Sequence, residues 1–280
     1  MNILLQQLSD EINARGYSEK TLSAYLKANE QLIRYFDEPI TAITDEALGA
    51  YFKHLSLVKK LSRATIALKL NAIHFLYANV LHRKFAIKVR WPKKQYKIPE
   101  LMSRAEVKSI IQHCTPEKYR VMLSILYGCG LRISELLNLN LKVQDIDGAR
   151  GTFKIRLSKG NKDRFVVIPP SLLEQLRRYW CHEHPRDWLF PTSFRGNYPV
   201  SDSALRKKLK ATLQIVGISK RCSPHSFRHA YATHQLEAGM PLHQLQHQLG
   251  HNDVRTTSRY LYWLPELSNQ GRDLLAGRDV

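Results

Sequence analysis

Apolar side chains recur at helical spacing through the first eighty residues. Ile3, Leu4, Leu8 and Ile12 predict a helix over 3–14 that Gly16 stops. Ser18 caps a second helix carrying Leu22, Leu26, Leu32, Ile33 and Phe36, which Pro39 ends. Thr44 opens a third with Leu48, Tyr51, Phe52 and Leu55, and Ser62 a fourth with Ile66, Leu70, Ile73, Leu76 and Tyr77. Four helices of about 10–18 residues joined by short loops make a small all-α domain.

The pattern then changes. Between 83 and 99 stand Arg83, Lys84, Lys88, Arg90, Lys93, Lys94 and Lys97 with no acidic residue, and Pro92 and Pro99 interrupt any helix. This basic stretch reads as a linker suited to crossing a phosphate backbone. Ser103 caps a further helix, and a strongly apolar one covers 119–126 until Gly128 and Gly130 break it. Arg132 then opens a new helix, with Glu135 one turn on and able to hold its guanidinium. The hydrophobic period falls to two at Phe153, Ile155 and Leu157, and a β-branched run follows over 165–168. Ser158 to Arg164 between them has the composition of a hairpin turn. Lys159 at the tip, Lys162 and Arg164 are positioned to reach a bound polymer. Helices are predicted over 171–181 and 201–216. Ser223-Pro224 starts one that runs to Ala238, Pro241 starts another that ends at Leu249-Gly250, and Asn252-Asp253 caps a last segment over 254–262. The expected fold is mainly α with two domains: an all-α N-terminal domain over 1–90, a basic linker over 91–100, and an α+β domain over 101–280 with a small antiparallel sheet.

Charge narrows the partner. Forty-three Lys and Arg against 24 Asp and Glu give +19, the electrostatic footprint of a polyanion binder. Cys114, Cys129, Cys181 and Cys222 are widely spaced, with no Cys-x-x-Cys pair, so buried, reduced, cytoplasmic thiols are expected. No run of about 18 apolar residues predicts a membrane span.

The densest chemistry lies from Ser223 to Tyr260. His225 and Arg228 fall three apart in the first turn of a helix, where free N–H groups and the dipole favour an anion. His243, His247 and His251 are four apart, which could align three imidazoles for a metal. Gly250 ends that helix before His251, however, and no acidic residue lies among them, so no metal is expected. Tyr260, nine residues after His251, stands among Leu261, Tyr262, Trp263 and Leu264, where taken by itself it reads as a core aromatic.

Taken together, His225-x-x-Arg228-His229, Leu249-Gly250-His251, Thr256-Thr257 and Tyr260 resemble the C-terminal signature of the tyrosine recombinases, the phage integrase and Xer family. Tyr127 to Leu137 resembles that family's first arginine motif, and Ser158 to Arg164 its β-hairpin lysine. The resemblance implies that the N-terminal domain clamps one face of double-stranded DNA. Tyr260 would be the nucleophile that forms a 3′-phosphotyrosine, although Tyr262 stands two positions away. Arg132 and Arg228 would grip the phosphate with planar forks, which lysine cannot do. Lys159 would protonate the leaving oxygen, His225 would be the acid/base partner of the tyrosine, and His251 would donate a hydrogen bond to the phosphate. Glu135 would orient Arg132. Because the tyrosyl ester keeps the energy of the broken bond, no cofactor is needed, and no phosphate-binding Gly-x-x-x-x-Gly-Lys-Ser/Thr loop occurs. Four copies on two duplexes would form the reacting synapse. Pro265, Leu267, Leu274 and Leu275 suggest a tail helix that docks on its own domain or, as the resemblance favours, on a neighbour. A nicking-closing enzyme like the type IB topoisomerases, or a silent DNA-binding regulator of this fold, would use the same framework.

Overall fold

In the computed structural model the described residues run from 3 to 264, except 37, 88, 90, 93–99, 140–142, 159–161 and 193–197; the side chains of 138, 139, 157, 158 and 162 are likewise left aside. Lys159, the tail from 265 onward, and Lys88, Arg90, Lys93, Lys94 and Lys97 therefore lie outside the description, as does the side chain of Lys162. The chain divides into two compact units, 1–97 and 98–280.

In the first unit, helices α1 (Ile3–Ala14), α2 (Glu19–Ile33), α3 (Asp45–Leu57) and α4 (Arg63–Asn79) follow the apolar periodicity. Their starts are set by side-chain oxygens. Ser18, Thr44 and Ser62 each accept the N–H three residues on, satisfying a donor the helix leaves free. Leu8, Ile12, Leu32, Leu48, Phe52, Ile66, Ile73 and Leu76 close one core. Buried Asn29 joins α2 to α4 by donating to the Ala72 carbonyl.

Here the first basic residues depart from expectation. Arg83 is tied to this unit, donating to the Ile43 carbonyl at 2.8 Å and to Asp45 at 3.0 Å, while Asp45 also accepts the Ala86 N–H. Phe85, Ile87 and Val89 pack against the same core. The chain past α4 is thus a strap on the helical domain before it becomes a connection, because its alternate apolar residues find the core. Lys84 remains exposed.

The second unit contains α5 (Arg104–His113), α6 (Glu117–Gly128), α7 (Pro170–Glu183), α8 (Asp202–Ile215), α9 (Pro224–Glu237), α10 (Leu242–Leu249) and α11 (Val254–Ser258). Strands β1 (Ile146–Asp147), β2 (Thr152–Ser158) and β3 (Lys162–Val167) form an antiparallel sheet in sequence order. α6 and α9 pack together through the core that includes Leu123, Leu126, Phe227 and Ala230. Phe153 pairs with Val166 and Ile155 with Arg164 across the sheet, all turned inward, while Phe165 and Val167 face out. Cys114 and Cys129 are buried and free. Cys181 is exposed, contrary to expectation, because the buried stripe of α7 is Leu172, Leu176 and Tyr179.

Candidate active site

Two glycines shape the floor of the site. Gly130 and Gly250 both have φ of 63°, the left-handed region that other residues avoid. A Cβ on Gly130 would lie 2.4 Å from the Tyr231 ring, and one on Gly250 would lie 2.8 Å from the Arg164 guanidinium. The turns they permit aim main-chain carbonyls at arginines. Arg228 donates to the Gly130 and Leu249 carbonyls, each at 2.7 Å, and Arg132 donates to the Gly250 carbonyl at 3.0 Å.

Glu135 is the hub of the cations. Its carboxylate accepts from the Arg132 guanidinium at 2.7 Å and, doubling back, from the Arg132 main-chain N–H at 2.8 Å. This fold-back coincides with a π-helical turn, Glu135–Leu139, where a plain α-helix was expected. Burial raises the Glu135 pKa, but the hydrogen bond and charge of Arg164, followed by Arg132, outweigh it and bring it down to about 2.

Arg164 corrects the sequence reading. It is only 9 % exposed and makes a two-pronged bond to Glu135 at 2.8 and 2.9 Å, so its fork is occupied inside the protein and is not a surface DNA contact. Alternation carried the signal: Arg164 shares the inward face of β3 with Val166 and pairs with buried Ile155. A charge at an inward strand position needs a buried partner.

Arg228 is 1 % exposed, and burial followed by the charge of Arg132 draws its pKa down to about 10, leaving it cationic at neutral pH. Its Nη2 lies 2.9 Å from His251 Nε2, and His251 Nδ1 lies 2.8 Å from Thr257 Oγ1. Since arginine can only donate, Nε2 accepts and the Nδ1 proton goes to Thr257. Burial, then Arg228 and Arg132, hold His251 down at about 3, so it is neutral. In this arrangement it has no N–H left to give a phosphate, contrary to the role expected for it. His225 stands at the mouth of the cleft, its pKa lowered by partial burial and by Arg228, Arg132 and Arg206.

Arg132, His225, Arg228, His251 and Tyr260 line one cleft of about 470 Å³, with His229, Thr256, Arg259 and Trp263. Tyr260 follows α11 and packs with Tyr231, Leu245, Leu249 and Leu264. It is 4 % exposed, whereas Tyr262 is 83 % exposed on the short 3-10 turn Leu261–Trp263. Both readings of Tyr260 thus hold at once: its ring belongs to a core and also lines the cleft. Burial raises its pKa, partly opposed by Arg228 and Arg132. Sequence reasoning gave no role to His229, whose Nδ1 is 3.2 Å from Tyr260 Oη, or to Thr257 beneath His251. Both stood in the quoted motifs, but only packing reveals what they touch. The equal spacing of the histidines does not bring them together: Gly250 ends α10 before His251, and His243 and His247 line another cavity with Met240.

Residues 99–264 match the model of the phage integrase family, and 4–87 match that of the phage integrase N-terminal SAM-like domain. The chain is 31 % identical over 275 residues to a tyrosine recombinase of Pseudothermotoga lettingae, covering 94 % of each. The crystal structure of XerA recombinase is similar at 26 % identity, covering 97 % of this chain and 98 % of that one with a TM-score of 0.56. A lambda integrase dimer bound to a COC′ core site has the same fold, with a TM-score of 0.73 over 98 % of this chain and 78 % of that one at 18 % identity. With a catalytic-domain match over more than half its length and a relative at this identity along nearly all of it, the chain belongs to the phage integrase family, the tyrosine recombinases.

Proposed function

We propose that Tyr260 of this site-specific recombinase attacks a phosphodiester of double-stranded DNA held between Arg132 and Arg228. Oη forms a bond to phosphorus as the bond to O5′ breaks, leaving a 3′-phosphotyrosine and a free 5′-hydroxyl. Attack by the 5′-hydroxyl of another strand reverses the step and rejoins the DNA, with no nucleotide consumed. The observation that carries this reading is the convergence of five groups, Arg132, His225, Arg228, His251 and Tyr260, on one cleft. Preorganised cations are the largest contribution to such chemistry, because the charge they face develops in a partly dry site. Arg228 is oriented by two carbonyls and Arg132 by Glu135, so neither must reorganise during the reaction. Lys159 is assigned the proton for the leaving O5′. The partner is a pair of DNA sites carrying four protomers, with the tail after residue 264 docking between neighbours, in a cytoplasmic setting.

The test is adduct trapping on a nicked suicide substrate. Tyr260→Phe is expected to abolish the covalent adduct while DNA binding stays within about twofold, since one hydroxyl matters little to an interface of many phosphates. EDTA is expected to leave cleavage unchanged. An adduct that persists in Tyr260→Phe and disappears in Tyr262→Phe overturns the choice of nucleophile. Relaxation of plasmids regardless of sequence would favour the nicking-closing enzyme instead.

A further inference from the structure

Among the described residues His229 is the ring in the cleft that contacts the Tyr260 oxygen, and it has no part in the scheme above. It follows Arg228 directly on α9, so a helical step of about 100° separates their directions. Its ring is fixed on two sides, by Trp263 with centroids 5.3 Å apart and by His225 at 4.5 Å, both edge to face. Its Nδ1 lies 3.2 Å from Tyr260 Oη. No hydrogen bond joins His225 to Tyr260 among the described residues, although His225 was the expected partner.

Direction follows from the neighbours. The Arg228 guanidinium also reaches Tyr260 Oη, and Arg132 adds its charge. Arginine supplies only protons, so Oη accepts on that side and its own proton points to an acceptor. The neutral imidazole Nδ1 is that acceptor. We infer that His229 Nδ1 takes the phenolic proton of Tyr260 as Oη attacks phosphorus, making His229 the base for strand cleavage. The inference rests on Tyr260 being the nucleophile. In the balanced step the Oη–P bond forms, the P–O5′ bond breaks, the Oη proton moves to Nδ1 to give imidazolium, and O5′ receives a proton from the group assigned to Lys159. Religation returns both protons.

The surroundings suit a base that acts only with DNA in place. Burial, then His225 and Arg228 on the same helix, hold the His229 pKa down at about 4, and burial holds the Tyr260 phenol above its ordinary value. From the segment after α11, Trp263 and Tyr260 bring no charge, while Arg259 adds a cation to the lining of the cleft. Arg132, and Arg206 of α8, bear on neighbouring His225. With the cleft empty, proton transfer is unfavourable and Tyr260 stays a phenol. A phosphate anion beside Arg228 offsets one of the charges that weaken His229.

His229→Asn tests this, because its Oδ1 can accept the same hydrogen bond but cannot carry the proton. Adduct formation by the wild-type chain, H229N and Y260F is followed on the suicide substrate from about pH 6 to 10, alongside half-site binding. H229N is expected to bind normally and cleave about 100-fold more slowly near neutral pH, within the range for a general base. Its rate is expected to climb about tenfold per pH unit towards that of the wild type, as hydroxide ionises the phenol instead. A rate within about threefold of wild type, or a deficit constant across pH, overturns the inference by showing that His229 only positions Tyr260. Should H229N fail to bind, the wild-type chain decides the matter. With nitrogen-15 histidine, half-site DNA is expected to raise the titration midpoint of His229, and an unmoved midpoint overturns the assignment. An adduct surviving in Y260F would instead overturn the nucleophile assignment.

Discussion

The cations and the proposed nucleophile share a cleft but are built in opposite ways. Arg228 is 1 % exposed with both forks on main-chain carbonyls, and Arg132 and Arg164 close on one buried carboxylate. The bonds of Arg228 and Arg164 join segments 21 to 98 residues apart in sequence, while Arg132 meets Glu135 one turn away, so most of the framework is part of the fold. Tyr260, by contrast, sits after a helix of only five residues, held by apolar neighbours and a hydrogen bond to His229. A helix so short has little stability of its own. In the proposed reaction the charge of the transition state would be met by rigid groups, while the proposed nucleophile follows a short segment that can shift at modest cost.

Breaking the rigid half should damage both chemistry and fold. Arg228→Ala is expected to lower cleavage by at least about 100-fold, roughly 2.7 kcal/mol in barrier. It also strips the Gly130 and Leu249 carbonyls of their donor, so the melting temperature should fall measurably, as it should not in Tyr260→Phe. Arg228→Lys is expected to rescue little, since one ammonium cannot reach two carbonyls and a phosphate together. Equal melting temperatures for Arg228→Ala and Tyr260→Phe, read by calorimetry, would erase the contrast.

Next in size is Glu135→Gln, which leaves the buried Arg164 without its counter-charge. Removing one partner of such a pair costs about 3 kcal/mol, readable by urea unfolding of the whole chain. The same carboxylate predicts a pH dependence. Its folded pKa is about 2 against an ordinary 4.5, so its contribution is complete above about pH 4.5 and is lost as pH falls towards 2. Glu135→Gln should lack that part of the acid-unfolding profile. The smallest effect is assigned to Thr257→Val, which removes the acceptor of the His251 proton. Cleavage should fall by about tenfold with stability nearly unchanged, the effect of losing an orienting partner. A loss as large as that of Arg228→Ala would place His251 in the rigid half.

The helices were legible because their signals are local. Ser18, Thr44, Ser62, Ser103 and Ser201 each cap the helix they were expected to start or stand beside. The π-helical turn at Glu135 was not legible, since it depends on a carboxylate folding back onto Arg132. Arg83 and Arg164 were read as DNA contacts from their charge alone, which does not say whether an arginine meets solvent, Asp45 or Glu135. For Arg164 the strand alternation contained the answer, and charge was allowed to override it. His229 was visible as a letter in a motif, but its partner lies 31 residues away and only the packing of α9 against the segment after α11 brings them together.

One consequence follows from the burial of Tyr260. A chain of charge +19 is drawn to any duplex, and such contact carries no sequence information. Were the phenol open to solvent, each of those encounters would place a nucleophile near a phosphodiester. With 4 % of Tyr260 exposed, touching DNA and cutting it would be separate events in the proposed scheme. If Tyr260 is the nucleophile proposed above, charge would let the protein survey a genome and leave it unbroken, and the wrong sites would not have to be recognised in order to be spared.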